Sequence, residues 1–110
     1  MTGNEYQRLA ARTINPNNST VENLLHGILG ISAEAGEFLG LFQKLYQGHE
    51  IDSEHAGKEL GDILWNIAEV CTCLGWSMDD IMVLNIKKLK ERYPNGFETE
   101  RSIHRKEGDV

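Results

Sequence analysis

The sequence predicts an all-α fold on three observations. No stretch sustains the apolar–polar alternation of a half-buried strand, apolar residues recur at helical spacing over long runs, and each run lies between a capping residue and a glycine or turn-rich stop. The expected architecture is an antiparallel helical hairpin plus flanking helices, forming a four-helix-bundle core completed by oligomerisation. One domain over residues 1–110 is expected. A domain of that size buries only about two-thirds of the surface its unfolded chain exposes, so its core is thin and burial between subunits would help.

The first helix is expected from Glu5 to about Thr13, stopped by the turn-rich run Asn15, Pro16, Asn17, Asn18, Ser19. Ser19 or Thr20 then caps a second helix from about Val21 to Gln47, with Gly48 at its C-terminal cap. Its stripe of Leu24, Ile28, Ile31, Ala35, Phe38, Phe42 and Leu45 steps by fours and threes, which predicts a core seam along the whole helix. Ser53 is expected to cap a third helix that ends at Leu74 before Gly75, with Leu60, Leu64, Ile67, Cys71 and Leu74 as the matching seam. Ser77, with Asp80 three residues on, opens a fourth helix to about Arg92, and Tyr93 to Phe97 ends it. The polar tail, 94–110, is expected to be ordered only in part and against a partner.

Composition excludes several functions. Acidic residues outnumber basic ones 17 to 11, which disfavours a general nucleic-acid binder, because such proteins gain affinity by neutralising phosphates. A phosphate-bearing substrate would need a metal to mediate it. No run is expected to cross a bilayer, so no membrane partner is expected. Met1 to Glu5 form neither a basic leader nor an apolar targeting region, and a cytoplasmic location is expected. Cys71 and Cys73, two apart on a helix, point to opposite sides and cannot pair. His26, His49, His55 and His104 show no metal-ligand spacing.

The chemistry lies in two acid pairs. Glu34 and Glu37, three apart, leave the second helix on one face, and Glu59 and Asp62 do the same on the third, with Asn66 and Glu69 continuing the polar line. Both pairs flank the seams, where an antiparallel hairpin can bring them together. Gathered half-buried carboxylates repel one another, and a hard divalent cation removes that cost. An all-oxygen donor set favours Mg²⁺, with Mn²⁺ as the substitute. Gly27 and Gly30 lie on the face of Glu34 and Glu37, pointing to room for a ligand or a close helix approach. Glu34 and Glu37 are the candidates to take a proton from an attacking water, Glu37 being preferred. On the fourth helix Asn85, Lys88 and Arg92 share a face and suit a ligand with phosphates and a base; Trp65 can stack on a base, and Lys44 can meet a phosphate. Arg101 and Arg105 are placed to close over a site from the tail.

Three segments carry a resemblance: Gly30 to Phe38 (GISAEAGEF), Lys58 to Trp65 (KELGDILW) and Asn85 to Tyr93 (NIKKLKERY). From about residue 22 to 105 the chain resembles the MazG-like nucleotide pyrophosphohydrolases of the all-α NTP pyrophosphatase superfamily. The resemblance implies that Glu34, Glu37, Glu59 and Asp62 bind Mg²⁺ and that a nucleoside triphosphate yields a monophosphate and pyrophosphate. It also implies a homodimer or homotetramer with sites built partly from a neighbouring chain. Two positions depart from the family pattern: Ala33 stands where many members carry a further Glu, and Asn66 where relatives often carry Tyr. The alternatives are a phosphoribosyl-ATP pyrophosphohydrolase-like enzyme, with the same chemistry on a larger substrate, and a non-catalytic helical oligomerisation module.

Overall fold

The computed structural model describes residues 1–110 and is all-helical: α1 (Gly3–Ala11), α2 (Thr20–Tyr46), α3 (Ser53–Leu74), α4 (Met78–Arg92) and the short α5 (Thr99–Ile103). Local capping chemistry sets the boundaries. Ser19 and Glu22 form a reciprocal capping box at the start of α2, each side chain accepting from the other's backbone N–H at 3.1 Å. Ser77 caps α4 by accepting from Asp80 N–H at 3.3 Å. Gly75 closes α3 in the left-handed region at φ 70°, and Gly48, just past the end of α2, adopts φ 99°. Two expected starts are displaced. Thr2 caps α1, accepting from Glu5 N–H, so the helix begins and ends two residues earlier than the spacing predicts. Asp52, not Ser53, caps α3, because its carboxylate reaches the N–H groups of both Glu54 and His55.

Helices α2 and α3 form the predicted antiparallel hairpin, and α1 packs on α3 and on the start of α4. Helix α1 is tied to the α3–α4 turn by polar contacts. The Gln7 amide donates to the Trp76 carbonyl at 2.8 Å and accepts from Met78 N–H at 2.9 Å, while Asn4 Oδ1 accepts from Ser77 Oγ and Asp79 N–H. A small apolar cluster of Ala10, Ala68, Cys71 and Met78, with Tyr6, Trp65, Ile67 and Ile81 against it, fills this junction.

The seams do not behave as a buried core within one chain. Ile28, Phe42 and Leu45 on α2 and Leu60, Leu64 and Leu74 on α3 remain about half exposed, as does much of α4 from Met82 to Ile86. The cause is visible in the packing: α4 leaves the α3 turn against α1 and does not lie along the hairpin. The radius of gyration is 17.1 Å, against about 13 Å for a compact domain of this length. The exposed apolar stripe also makes α2 long and apolar enough, by length and composition, to cross a membrane, with a mean hydropathy of 1.2 over its most apolar window. The expectation that no run reaches that length is thereby corrected. Length and composition do not register that Glu34 and Glu37 line one face of this helix.

The tail folds back on α4. Asp109 folds back to Arg92, accepting from Nε at 2.8 Å and from a terminal nitrogen at 2.7 Å in a bidentate pair, which seats the last residues beside α4.

Candidate active site

Helix α2 contributes Glu34, and α3 contributes Glu59 and Asp62 one turn apart. One carboxylate oxygen from each of the three lies within 4.8 Å of the others, close to the separation of about 4 Å across a cation with 2.1 Å bonds. Of the two α2 acids, Glu34 is the one level with Glu59 and Asp62. Glu37, three residues on, is turned about 60° around the helix axis, is exposed, and stands outside this cluster next to Glu34.

The close approach of α2 to α3 follows from their small residues. A Cβ at Gly30 would overlap the Asn66 side chain, and one at Gly27 would lie 2.9 Å from Val70 Cγ2 and 3.0 Å from Glu69 Oε1. The close helix approach foreseen for these glycines is present, and Gly30 also lines a cavity beside the carboxylates. Asn66 is buried there, its amide donating to the Asp62 carbonyl at 2.8 Å.

The electrostatics of the cluster are unfavourable as they stand. Burial first, then the negative charges of Glu37, Asp62 and Glu59, push the Glu34 carboxyl above the ordinary carboxylate range. Glu34 Oε2 and Glu59 Oε2 are buried without any hydrogen-bond partner, although buried polar atoms are normally satisfied. Glu59 keeps its other oxygen on His55 Nε2 at 3.0 Å, which orients the carboxylate. Three converging carboxylates, two of which carry an orphaned oxygen, fit a hard divalent cation, which Glu34, Glu59 and Asp62 could hold.

A cavity of about 460 Å³ opens beside the cluster, lined by Glu34, Asp62, Trp65, Asn66, Gly30 and His26 among others. Trp65 lines this cavity, with its indole N–H donating to Thr13 Oγ1 at 2.8 Å. A second cavity, of about 630 Å³, lies between α4 and the tail. It gathers Asn85, Lys88 and Arg92 with Arg101 and Arg105, so the basic residues singled out on α4 and on the tail share one place. The two linings have no residue in common. Lys44, exposed in the last turn of α2, lines neither cavity.

A family model for the MazG nucleotide pyrophosphohydrolase domain matches residues 20–97, the whole of α2, α3 and α4. The chain belongs to this family. No curated protein and no solved structure matches it. The MazG match takes in both acid pairs and the Asn85–Arg92 face, and leaves α1 and the α5 tail outside.

Spacing alone did not single out the contact between His26 and Glu69. Glu69 continues the polar line of α3, and it is only 1% exposed and accepts from His26 Nδ1 at 2.7 Å. The available signal was its position opposite Gly27, since a glycine on one helix makes room for a side chain on the next.

Proposed function

We propose that this chain is a Mg²⁺-dependent nucleoside triphosphate pyrophosphohydrolase, converting a ribo- or deoxyribonucleoside triphosphate and water into the monophosphate and pyrophosphate. The observation that carries this reading is the trio of Glu34, Glu59 and Asp62 with two buried, unpartnered oxygens. Membership of the MazG family supplies the reaction class.

Mg²⁺ held by these carboxylates would withdraw charge from the phosphate oxygens and make a water a better nucleophile. Glu37, exposed at the edge of the cluster, takes the proton of the attacking water, with Glu34 as the alternative acceptor. The water oxygen bonds to phosphorus while the anhydride bond to pyrophosphate breaks, and pyrophosphate leaves with that electron pair. Lys88 and Arg92 hold the leaving group; the guanidinium fork that grips the Asp109 carboxylate has the geometry that grips phosphate. Asn85 reaches toward the sugar or base, and Trp65 flanks the nucleoside.

The carboxylates and these basic groups lie in separate cavities of one chain, so the complete site is formed between two copies, α4 of one facing the hairpin of another. The half-exposed apolar seams and the loose packing of α4 supply the surface for a homodimer or homotetramer.

The test combines turnover with melting. Each ribo- and deoxyribonucleoside triphosphate is incubated with Mg²⁺ and pyrophosphate is detected apart from phosphate. Pyrophosphate release is expected from wild type and is expected to be lost in Glu59→Gln. Without metal, Glu59→Gln should melt at the same temperature as wild type or higher, because it relieves repulsion, and it should lose the upward shift that Mg²⁺ gives wild type. Unchanged turnover in this variant, or no effect of Mg²⁺ on the melting of wild type, would overturn the reading.

A further inference from the structure

The cavity beside the carboxylates has two chemically different ends. Glu34 and Asp62 form the anionic end, and His26 and Trp65 form the other. On the assignment above, the phosphates go to the first end, which leaves the nucleoside for the second.

At that second end a ring is held by a buried acid. Glu69 is 1% exposed, and its Oε1 lies 2.7 Å from His26 Nδ1, while the imidazole itself is largely open to the cavity and solvent. A carboxylate only accepts hydrogen bonds, so Nδ1 carries the proton of this contact and Nε2 is left as the available ring nitrogen. In the neutral ring, Nε2 is an acceptor. The ring is braced a second time by Trp65, edge to face at 85° with centroids 5.9 Å apart, and Trp65 is itself fixed through Thr13. Gly27 leaves the space that Glu69 occupies. A buried polar group needs a hydrogen-bond partner, and the Nδ1–H of His26 supplies one to Glu69.

We propose that His26, positioned by Glu69 and Trp65, recognises the nucleoside by accepting a hydrogen bond at Nε2 from an N–H or O–H donor, so that it sets nucleotide preference. The donor is either an exocyclic amine of the base or a sugar hydroxyl. His26 is a specificity residue, and Glu69 is a positioning residue that acts through it. The proposal rests on the nucleotide reading of the site and adds to it the group that is read.

The experiment compares wild type with His26→Phe, which keeps a ring against Trp65 but removes both nitrogens, and with His26→Gln and Glu69→Gln. KM and kcat are measured for the four ribonucleotides and their 2′-deoxy and 2′,3′-dideoxy forms. His26→Phe is expected to raise KM about ten-fold, the scale of one lost hydrogen bond, for nucleotides bearing the donor, with kcat little changed. His26→Gln, which retains an acceptor, should recover part of the loss. Glu69→Gln, whose amide can donate to Nδ1 and so reverse the tautomer, should alter preference without weakening Mn²⁺ binding. If the loss follows the amine-bearing bases, the base is read; if it follows the hydroxyls, the sugar is read.

Calorimetric binding of nucleoside monophosphates to the full-length chain requires no turnover and separates the two levels of the argument. Wild type that binds monophosphate more tightly than His26→Phe, yet cleaves no triphosphate, supports this inference and overturns the hydrolase reading. Wild type that cleaves triphosphate, with His26→Phe unchanged in KM and preference, overturns this inference alone. Wild type that binds no monophosphate and cleaves no triphosphate overturns both.

Discussion

Gly30 and Gly57 are both helical glycines, yet their surroundings are opposite. A Cβ at Gly30 meets the buried Asn66 side chain, while one at Gly57 meets nothing within 4 Å. Gly30→Ala should therefore cost about 1–3 kcal/mol by overpacking, and it should perturb the site because Asn66 braces the Asp62 carbonyl. Gly57→Ala should stabilise by about 0.5–1 kcal/mol, the ordinary gain of replacing glycine inside a helix. Urea unfolding of both variants checks the pair; equal effects would mean that the α2–α3 contact is looser than described. At this scale the sequence was partly legible. Glu34, Glu59 and Asp62 could be placed because acids three apart share a face and flank the seams. That Glu37 stands outside the trio depends on the helix crossing and register, which spacing does not contain. Glu69 was illegible for a related reason: whether a polar residue on a flank is solvated or buried depends on what the neighbouring helix omits at that level.

Among the elements, α2, α3 and α4 could be read almost to the residue because their stop and cap signals are local chemistry, Ser19 with Glu22, Ser77 with Asp80, and Gly75 at positive φ. The placement of the tail was less readable, since it rests on a contact seventeen residues away in sequence, Arg92 with Asp109. That contact should be pH-dependent. The Arg92 hydrogen bonds hold Asp109 below the usual carboxylate range, so its contribution is fully present above the ordinary aspartate value and is lost as pH falls through the lowered value. Limited proteolysis or hydrogen exchange of residues 99–110 should show the tail loosening at acid pH in wild type. In Asp109→Asn it should already be loose at neutral pH. Because Asp109 holds the fork that a phosphate would use, the same variant should also lower KM for triphosphates.

For the whole molecule, the all-α class and the hairpin followed from periodicity, and the core was expected to be completed by oligomerisation; in the single chain much of the seams stays about half exposed. Periodicity reports that a face must be covered and is silent about which chain covers it. Sedimentation of wild type should show a dimer or tetramer. Ile86→Asp, on the exposed face of α4, should lower the assembly state and turnover together. If the site is shared, mixing Glu59→Gln with Lys88→Ala/Arg92→Ala subunits should restore activity to a level that neither reaches alone. Failure to restore it while the subunits exchange would place both halves of the site in one chain.

The polar ties from Asn4 and Gln7 to the α3–α4 turn acquire a meaning in this setting. Helix α1 lies outside the family match, yet it sets the bearing on which α4 departs. It works as a protractor: a few amide contacts at the hinge fix where residues three turns farther along come to rest. Sequence drift in these first residues would swing α4 and its Asn85–Arg92 face, while every carboxylate stayed where it is.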